Sequence, residues 1–408
     1  MNPWALFSKL NWRRIERKCF TKGRITIRNT PPIYLDYNAT TPHAPEVIDA
    51  MRPFLEIAFG NPSSSHGYGM SPKKAVGNAR RQVAALIGCR PDEIIFTSGG
   101  TEANNYAIKG IARSYRSKGN HIITSQIEHP AVIEVCRYLD RLGFETTFLP
   151  VDTNGLVRVP DVKAAIRAET ILITIMHANN EVGTIQPLEE ISKIAKKQHI
   201  VFHTDAAQSM GKIPVKVKPL GVDLLSIAGH KLYAPKGIGA LYIRRGLALE
   251  PFIHGAGQEN EKRAGTENVL GIVGLGEACR IAEDSQESHF KHMKDMRELL
   301  YNGLKKELGR IRLNGHPEKR LPNTLSISFK NMEANRILEK IESQVAASAG
   351  AACHSDRVEI SPVLKAMQVP LQWAKGTLRF STGRMTSEVE INRAVKIISE
   401  GIHTSNDN

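Results

Sequence analysis

The sequence predicts an α/β fold in which a large domain with a mainly parallel sheet, covered by helices, is followed by a smaller α+β unit. Two observations predict it. Short apolar runs alternate with helical patterns through the middle of the chain, and this alternation changes near residue 285. Strands that alternate with helices pair in parallel, because each helix returns the chain to the same end of the sheet. With 408 residues and 41% hydrophobic side chains, the chain fits one large domain plus a smaller one.

The individual elements follow from the apolar runs taken in chain order. Runs such as TILITIM at 170–176 are short and rich in β-branched residues, which favours buried strands. From about Glu277 a long charged helix is expected to reach Leu308. The predicted strands are 93–98, 121–125, 170–176, 200–204, 222–227, 239–243, 324–329 and 377–381, and the other predicted helices are 101–116, 131–142 and 188–198.

Composition and charge exclude several classes of protein. No apolar run approaches the roughly 20 residues of a transmembrane helix, which excludes an integral membrane protein. The formal net charge is +14, but residues 1–30 hold eight basic side chains and one acidic side chain, so +7 of this excess is local. No basic and aromatic motif accompanies the remaining charge, so we expect no nucleic-acid partner and no membrane association.

Residues 1–30 form a basic segment that is almost free of acidic groups and contains Trp4, Phe7 and Trp12. The segment lacks the continuous apolar stretch of a secretory signal. Its pattern is typical of a mitochondrial presequence, and it fits equally well an N-terminal extension without a targeting role. The expected location is intracellular, in either the mitochondrial matrix or the cytoplasm. The globular pattern begins after residues 31–32, which are both proline.

The cysteines give no sign of a disulfide framework or of a zinc site. They are odd in number and scattered, with no C-x-x-C pair, a pattern that disfavours both. We therefore expect a reducing compartment and no bound metal. Cys353 lies in a polar stretch that contains glycine, which favours a nucleophile on a loop. The five cysteines are Cys19, Cys89, Cys136, Cys279 and Cys353.

Polar residues follow the predicted strands at the end where ligands of open parallel sheets gather. Gly99, Gly100 and Thr101 come after the first strand and open a helix, whose free N–H groups suit a phosphate. An ordinary helix cap would show the same sequence. His129 follows the second strand, and a dense polar run at 177–181 follows the third. Such a run is costly to bury unless it binds something.

Two further strand ends carry titratable side chains. Asp205 lies between small residues, where a carboxylate can hold a proton on a buried ring nitrogen or simply cap a helix. Lys231 lies in a glycine-flanked turn, where a desolvated amine can form a Schiff base, although most lysines are merely solvated. Taken together and in this order, a phosphate cradle, His129, Asp205 and Lys231 indicate a pyridoxal-phosphate site.

Over roughly residues 32–400 the chain resembles the cysteine desulfurase and selenocysteine lyase family of fold type I pyridoxal-phosphate enzymes. The resemblance implies a large cofactor-binding domain at 42–285 with a mainly parallel seven-stranded sheet. It also implies a smaller domain formed by 31–41 and 286–408, which carries the Cys353 loop. The segments that carry the resemblance are 34–42 (YLDYNATTP), 60–64 (GNPSS), 97–102 (TSGGTE), 179–181 (NNE), 204–208 (TDAAQ), 229–231 (GHK), 263–268 (RAGTEN), 348–353 (SAGAAC) and 379–381 (RFS).

The resemblance also implies roles for individual residues. Lys231 would hold pyridoxal 5′-phosphate covalently and then move protons at the substrate Cα, and Asp205 would pair with the ring nitrogen. Cys353 would take sulfur from the substrate and carry it as a persulfide, with L-alanine as the other product. Thr266 would reach the phosphate of a neighbouring subunit, which implies a homodimer. The remaining implied contacts are Gly100, Thr101 and His230 with the phosphate, His129, Asn180 and Gln208 with the ring, and Asn38 and Arg379 with the substrate.

The segment around Cys353 leaves two substrates open. Its sequence at 349–356, AGAACHSD, is similar to animal selenocysteine lyases. Pro130, however, stands where those lyases carry an acidic residue after the ring-stacking histidine. The length of the segment fits desulfurases that pass sulfur to a scaffold protein. The resemblance therefore implies a cysteine desulfurase acting on L-cysteine for iron–sulfur cluster or other sulfur-carrying biosynthesis, with a selenocysteine lyase acting on L-selenocysteine as the alternative.

Overall fold

A seven-stranded sheet forms the centre of the protein. The structure is a computed structural model, and it describes residues 31–354 and 357–406. In chain order the strands are β1 (Ile33–Tyr34), β2 (Ile94–Thr97), β3 (His121–Ser125), β4 (Glu145–Leu149), β5 (Thr170–Thr174), β6 (Val201–Asp205), β7 (Leu224–Ala228), β8 (Gly239–Ile243), β9 (Ile311–Asn314), β10 (Thr324–Phe329), β11 (Val345–Ala346), β12 (Ser348–Ala349), β13 (Ala351–His354), β14 (Arg357–Ile360) and β15 (Thr377–Ser381). The helices are α1 (Pro45–Glu56), α2 (Gly67–Ile87), α3 (Gly100–Ser114), α4 (Pro130–Asp140), α5 (Val159–Ala165), α6 (Leu188–Lys197), α7 (Val217–Leu220), α8 (Val269–Asp284), α9 (Gln286–Leu308), α10 (Ala334–Ile341), α11 (Pro362–Ala366), α12 (Leu371–Ala374) and α13 (Glu388–Asn406).

The order of strands in the central sheet confirms the predicted α/β fold. It runs β2-β8-β7-β6-β5-β3-β4. The strands from β7 to β4 pair in parallel with their neighbours, whereas β8 runs antiparallel to both β7 and β2. The carboxyl ends of the parallel strands therefore meet at one edge of the sheet, where the sequence places its polar residues.

Both faces of the central sheet are buried. Side chains alternate between the faces along each strand. Ile123 and Ile173 join the core on one face, to which α2, α6 and α8 contribute. Ile122 and Leu172 join the core on the other face, which α3 and α4 cover. All four side chains have no exposed surface. A parallel sheet needs helices on both faces, because its strands carry apolar side chains on both faces.

A smaller antiparallel sheet, with the order β12-β15-β10-β9, lies in the C-terminal part of the chain. Its core includes Leu300, Phe329, Phe380 and Ile398, contributed by strands and by the helices α9, α10 and α13. The strand β1 pairs with β11 and so ties the segment before α1 to this second core. The division into domains at the predicted boundaries stays a prediction.

The prediction of a single helix from about Glu277 to Leu308 is wrong. Two helices, α8 and α9, meet at Ser285, whose φ of −121° and ψ of 15° are not helical. The helix α8 packs against α1 and α2 beside the central sheet, whereas α9 packs against α13 in the second core. One straight helix cannot lie against both, so the chain turns at Ser285. Helical patterns on both sides of the turn hide it in the sequence.

Two further features can be checked over the part of the chain that the structure describes. Among residues 31–354 and 357–406, no helix is both long and apolar enough to cross a membrane. The same residues contain no group of three or more His, Cys, Asp or Glu side chains placed to hold a metal ion. The basic segment at residues 1–30, interpreted either as a presequence or as an extension without a targeting role, lies outside the described residues.

The arm between β8 and α8, residues 254–268, has an unusual backbone. Glu259, Asn260 and Glu261 have φ values of 49°, 55° and 63°, a left-handed conformation that costs roughly 1–2 kcal/mol per L-residue. The buried carboxylate of Glu259 accepts two hydrogen bonds from Arg80, at 2.6 and 2.8 Å, and one from the N–H of Phe96 at 2.8 Å. These contacts hold the arm against α2 and β2 and offset the strain of its backbone.

Glu259→Ala is expected to lower the free energy of unfolding by about 3 kcal/mol, because removing one partner of a buried ion pair leaves the other charge uncompensated. Urea denaturation followed by circular dichroism measures this loss. The control is Glu145→Ala, which breaks an exposed pair with Arg167 at 2.6 Å and should cost less than about 1 kcal/mol. Equal losses in the two variants would contradict the role given to Glu259.

Candidate active site

A cavity of about 310 Å³ is lined by residues that follow β2, β3, β5, β6 and β7. Ten of the twelve residues predicted to form the site line it. Thr266 does not line it and lies exposed on the arm. Cys353 belongs to β13, and its side chain lies outside what the structure describes. The ten lining residues are Asn38, Gly100, Thr101, His129, Asn180, Asp205, Gln208, His230, Lys231 and Arg379.

Lys231 ends a short 3₁₀ turn, Gly229–Lys231, directly after β7. Its Nζ donates hydrogen bonds to the backbone carbonyls of Asn38, at 2.5 Å, and Ala39, at 2.7 Å. Burial, together with the nearby Arg379 guanidinium, lowers the pKa of Lys231 to about 8. An amine with this pKa is partly unprotonated near neutral pH, and the unprotonated form is the one that attacks a carbonyl group.

Asp205 is the last residue of β6, and two neutral groups hold its carboxylate. Asn104 Nδ2 donates to Oδ2 at 2.6 Å, and the N–H of Ala207 donates to Oδ1 at 2.9 Å. The next helix, α7, begins only at Val217, so the alternative role as a helix cap does not apply. The side chain is buried yet lines the cavity. It can therefore present its negative charge to a cationic ring nitrogen.

His129 is the residue immediately before α4, and that helix fixes its ring. The ring Nδ1 accepts a hydrogen bond from the N–H of Ala131 at 3.1 Å, with Pro130 at the first helical position. Burial lowers the pKa of His129, which favours the neutral ring. Because Nδ1 acts as the acceptor, the proton of the neutral ring is on Nε2. The ring is thus held against the cavity in one tautomer.

The start of α3 forms a cradle that fits a phosphate group. Gly99 has φ 152° and ψ −177°, a conformation that is essentially restricted to glycine. A Cβ on Gly100 would lie 3.2 Å from the Cβ of Ala228, so a larger residue would crowd the cradle. The N–H of Ala103 bonds to the carbonyl of Gly99 at 3.1 Å, which leaves the preceding N–H groups of α3 outside the helix ladder. These groups and the positive end of the helix suit an anion.

Arg379 lies in the middle of β15 and reaches the cavity from the smaller sheet. Its Nη2 donates to Asp36 Oδ1 at 2.7 Å and to Ser348 Oγ at 2.9 Å, and its Nη1 donates to the backbone carbonyl of Asn180 at 3.2 Å. Its Nε is buried without a hydrogen-bond partner among the described residues. These contacts fix the guanidinium where Arg379 lines the cavity, and a guanidinium held in this way can bind a carboxylate.

The strands β13 and β14 form a two-stranded antiparallel ribbon that carries Cys353. The base of the ribbon is closed by a hydrogen bond from the N–H of Ser361 to the carbonyl of Gly350 at 3.2 Å. On one side, the N–H of Gly350 donates to the carbonyl of Thr377 at 2.8 Å. On the other side, Ser361 Oγ donates to the partly buried carboxylate of Glu181, whose pKa burial raises. Both anchors belong to segments that also line the cavity.

Three other cysteines lie within the described residues, and none of the three is prepared to act as a nucleophile. Burial raises the pKa of Cys89 to about 12. Burial also raises the pKa values of Cys136 and Cys279, which are fully buried. A thiol is a poor nucleophile compared with a thiolate, so these side chains stay inert near neutral pH.

Sequence reasoning missed three polar residues around the cavity. Asn104 and Lys212 lie four positions after Gly100 and Gln208, and this spacing was the available signal for a shared location. Glu128 is buried beside the end of β3, and burial raises its pKa to about 8. Its position directly before His129 gave no indication of burial, because a carboxylate at a strand end is ordinarily solvated.

Comparisons with known proteins agree with this arrangement of residues. The family model of class-V aminotransferases matches residues 33–394. "Cysteine desulfurase IscS" of Dictyoglomus turgidum is 50% identical over 367 residues, which cover 90% of this chain and 93% of the relative. "Cysteine desulfurase, mitochondrial" of Arthroderma benhamiae is 47% identical over 376 residues, which cover 91% of this chain and 74% of the relative. Among solved structures, a NifS-like protein has a TM-score of 0.86 at 38% identity, covering 91% of this chain and 100% of its own.

Lys231 in the cofactor-free protein is expected to react with amine reagents at a lower pH than an ordinary lysine. Because its pKa is about 8 rather than 10.5, half-maximal acetylation of Nζ should occur near pH 8. Competitive labelling with acetic anhydride over a series of pH values, followed by mass spectrometry of tryptic peptides, measures this midpoint. Arg379→Met should raise the midpoint, because the guanidinium lowers the pKa. A midpoint near 10.5 in the parent, or one that does not move in Arg379→Met, would contradict this account.

Proposed function

This chain belongs to the class-V aminotransferase family and is a cysteine desulfurase, and from this premise we propose that the cavity around Lys231 removes sulfur from L-cysteine and leaves it as a persulfide on Cys353. The observation that carries the proposal is the convergence of Lys231, Asp205 and Arg379 on one cavity. The alternative, a selenocysteine lyase, is not favoured, because the relatives at 47–50% identity are cysteine desulfurases.

Pyridoxal 5′-phosphate is the cofactor of this family, and the residues of the cavity fit it. Gly100 and Thr101, at the positive end of α3, would hold the phosphate together with His230. Asp205 would keep a proton on the ring nitrogen, and Lys231 would provide the covalent link. When bound, the cofactor supplies an electron sink for negative charge at the substrate Cα. The remaining ring contacts would come from His129, Asn180 and Gln208.

The substrate would be oriented by Arg379, whose guanidinium group lines the cavity and can bind the carboxylate of L-cysteine. Asn38 lies beside it in the lining and offers a polar contact from the segment before α1. With its carboxylate bound in this way, the substrate would direct its amine and Cα toward Lys231. The unprotonated Nζ of Lys231 then takes the Cα proton, a role that its low pKa favours because the amine need not first lose a proton to water.

Sulfur transfer is assigned to Cys353. Its thiolate attacks the sulfur of L-cysteine, a new S–S bond forms, and the bond between that sulfur and the substrate Cβ breaks. The electron pair of the broken bond goes to the substrate carbon, which takes up a proton, so L-alanine leaves and a persulfide remains on Cys353. The anchored base of the ribbon supports this assignment, because Gly350 and Ser361 fix the start and end of the Cys353 segment beside the cavity.

We propose that the enzyme is a homodimer in which Thr266 completes the phosphate site of the partner subunit. Thr266 is exposed and does not line the cavity of its own subunit. Glu259 holds the arm that carries Thr266 in a strained conformation. A loop that makes no further contact would not need this strain. Exposed apolar side chains on neighbouring segments, Phe59 at 77% and Ile57 at 73%, also suit burial against a second copy.

We further propose that the persulfide passes to a scaffold protein for iron–sulfur cluster or other sulfur-carrying biosynthesis, as the length of the Cys353 segment implies. The core that joins Ile33 and Leu35 to residues between Leu300 and Ile402 supports a smaller domain formed by 31–41 and 286–408, beside a large domain at 42–285. The proposed location is the mitochondrial matrix or the cytoplasm. Import of the radiolabelled full chain into isolated mitochondria, with and without residues 1–30, decides between these compartments.

Lys231→Ala is expected to abolish turnover of L-cysteine, because both the covalent link and the group that moves the Cα proton are lost. The variant should also lose the adduct that borohydride reduces, while its thermal unfolding stays close to that of the parent. The control is Lys196→Ala on the exposed side of α6, which should keep both turnover and adduct. A reducible adduct at the parental level in Lys231→Ala would contradict the assignment.

Cys353→Ser is expected to lose desulfuration of L-cysteine almost completely, because a hydroxyl is a far weaker nucleophile than a thiolate. It should still release selenium from L-selenocysteine, since a selenol ionises and leaves more readily than a thiol. Steady-state rates of alanine formation from both substrates measure these effects, and Cys89→Ser is the control. Parental turnover of L-cysteine by Cys353→Ser would contradict the role of Cys353. A parent enzyme that is inert towards L-cysteine and fast on L-selenocysteine would favour the lyase.

A further inference from the structure

Lys212 is a lysine side chain in the interior of the protein, next to the cavity. It lies in the turns after β6 and is 5% exposed. Its Nζ donates hydrogen bonds to two amide oxygens, Gln208 Oε1 at 2.9 Å and Asn38 Oδ1 at 3.1 Å. No carboxylate among residues 31–354 and 357–406 forms an ion pair with it. The mechanism above does not use this amine.

The surroundings of Lys212 favour the uncharged amine. Burial lowers its pKa far below the usual value, and the nearby cations Lys231 and Arg379 lower it further. A charged ammonium would bring three N–H donors and a buried charge without a counterion, which is costly. A neutral amine has two N–H donors, and two acceptors are present. Lys212 therefore acts through hydrogen bonding rather than through charge.

The two acceptors of Lys212 are side chains that line the cavity. Because its oxygen is engaged by Lys212, the amide of Gln208 must direct its Nε2 the other way, and Nε2 donates to the backbone carbonyl of Asn38 at 3.0 Å. That same carbonyl accepts a hydrogen bond from Lys231 Nζ at 2.5 Å. The contacts connect Lys212 to the catalytic amine through Gln208 and Asn38.

The amide of Asn38 is oriented in the same way. Its Oδ1 accepts from Lys212 and from Asn323 Nδ2, the latter at 2.9 Å. Its Nδ2 donates to Thr324 Oγ1 at 2.8 Å and to the backbone carbonyl of Asn180 at 3.1 Å. An amide with both ends engaged cannot flip, so the polar face that Asn38 presents to the cavity is set by these partners.

We propose that Lys212 is a positioning residue that fixes the amide groups of Gln208 and Asn38 in the orientation that receives the cofactor and the substrate. The proposal rests on the proposed function, since it assigns to Gln208 a contact with the cofactor ring. A lysine suits this place because its long apolar stem crosses the packed interior and delivers donors at its end. Without those donors, the amide of Gln208 can rotate and present its oxygen where a donor is needed.

The test compares Lys212→Met with the control Lys216→Met, which makes the same substitution four residues further along, where Nζ contacts the carbonyl of Ala85. Apo-proteins are titrated with pyridoxal 5′-phosphate to obtain its dissociation constant. The visible absorbance of each holo-protein is then followed against pH to find the midpoint of its titration. Lys212→Met is expected to weaken cofactor binding about tenfold, the effect of losing one or two hydrogen bonds, and to shift the midpoint. Lys216→Met is expected to match the parent.

The double variant Gln208→Ala, Lys212→Met separates positioning from general destabilisation. If Lys212 acts through Gln208, the double variant should bind the cofactor little worse than Gln208→Ala alone. Additive losses would overturn the proposal, and so would parental binding and an unshifted midpoint in Lys212→Met. Thermal unfolding checks the fold of each variant. If Lys212→Met does not fold, Lys212→Gln, which keeps a donor, replaces it. Lys212→Gln should then weaken cofactor binding in the same direction but by a smaller factor. A parent that does not bind the cofactor would instead overturn the proposed function.

Discussion

The burial of the central sheet on both faces is the constraint on which the rest of the structure depends. Helices cover Ile122 on one side and Ile123 on the other, so a ligand can reach polar side chains of the sheet only where the strands end. The carboxyl ends of β3, β5, β6 and β7 meet at a single edge, and the cavity forms there. Partial burial in this cavity, together with the Arg379 guanidinium, lowers the pKa of Lys231 to about 8.

The fold could be predicted from the sequence where strands are buried on both faces. The strand β3 has the predicted bounds, and β5 ends two residues earlier than predicted. The strand β4 was missed because it lies at the edge of the sheet, where Leu149 is its one buried residue and the others leave no apolar pattern. The turn at Ser285 was missed for a different reason: the packing of α8 and α9 on separate cores decides it, and no local residue signals it.

The site could be predicted to the extent that its residues lie in short motifs. Asp205 and Lys231 follow strands and belong to family patterns, so their types and positions were informative. The contacts that orient them were not accessible in this way. Ser361 bonds to Glu181 across 180 positions, and Lys212 bonds to Asn38 across 174. Partners this far apart in sequence show no local spacing pattern. A polar residue outside any motif is expected to be exposed to solvent, and only the fold shows that it is buried.

The contact between Arg379 and Asp36 has a consequence for how the enzyme is made. These residues are 343 positions apart, and Asn38 is joined over the same separation to Ser381, whose Oγ accepts its N–H at 2.9 Å. A ribosome releases the chain from its N-terminus, so the segment with Asp36 and Asn38 must wait for nearly the whole polypeptide before it finds its partners. Incomplete chains therefore lack Arg379, the residue proposed to bind the substrate carboxylate, and the proposed site is complete only in polypeptides whose translation has finished.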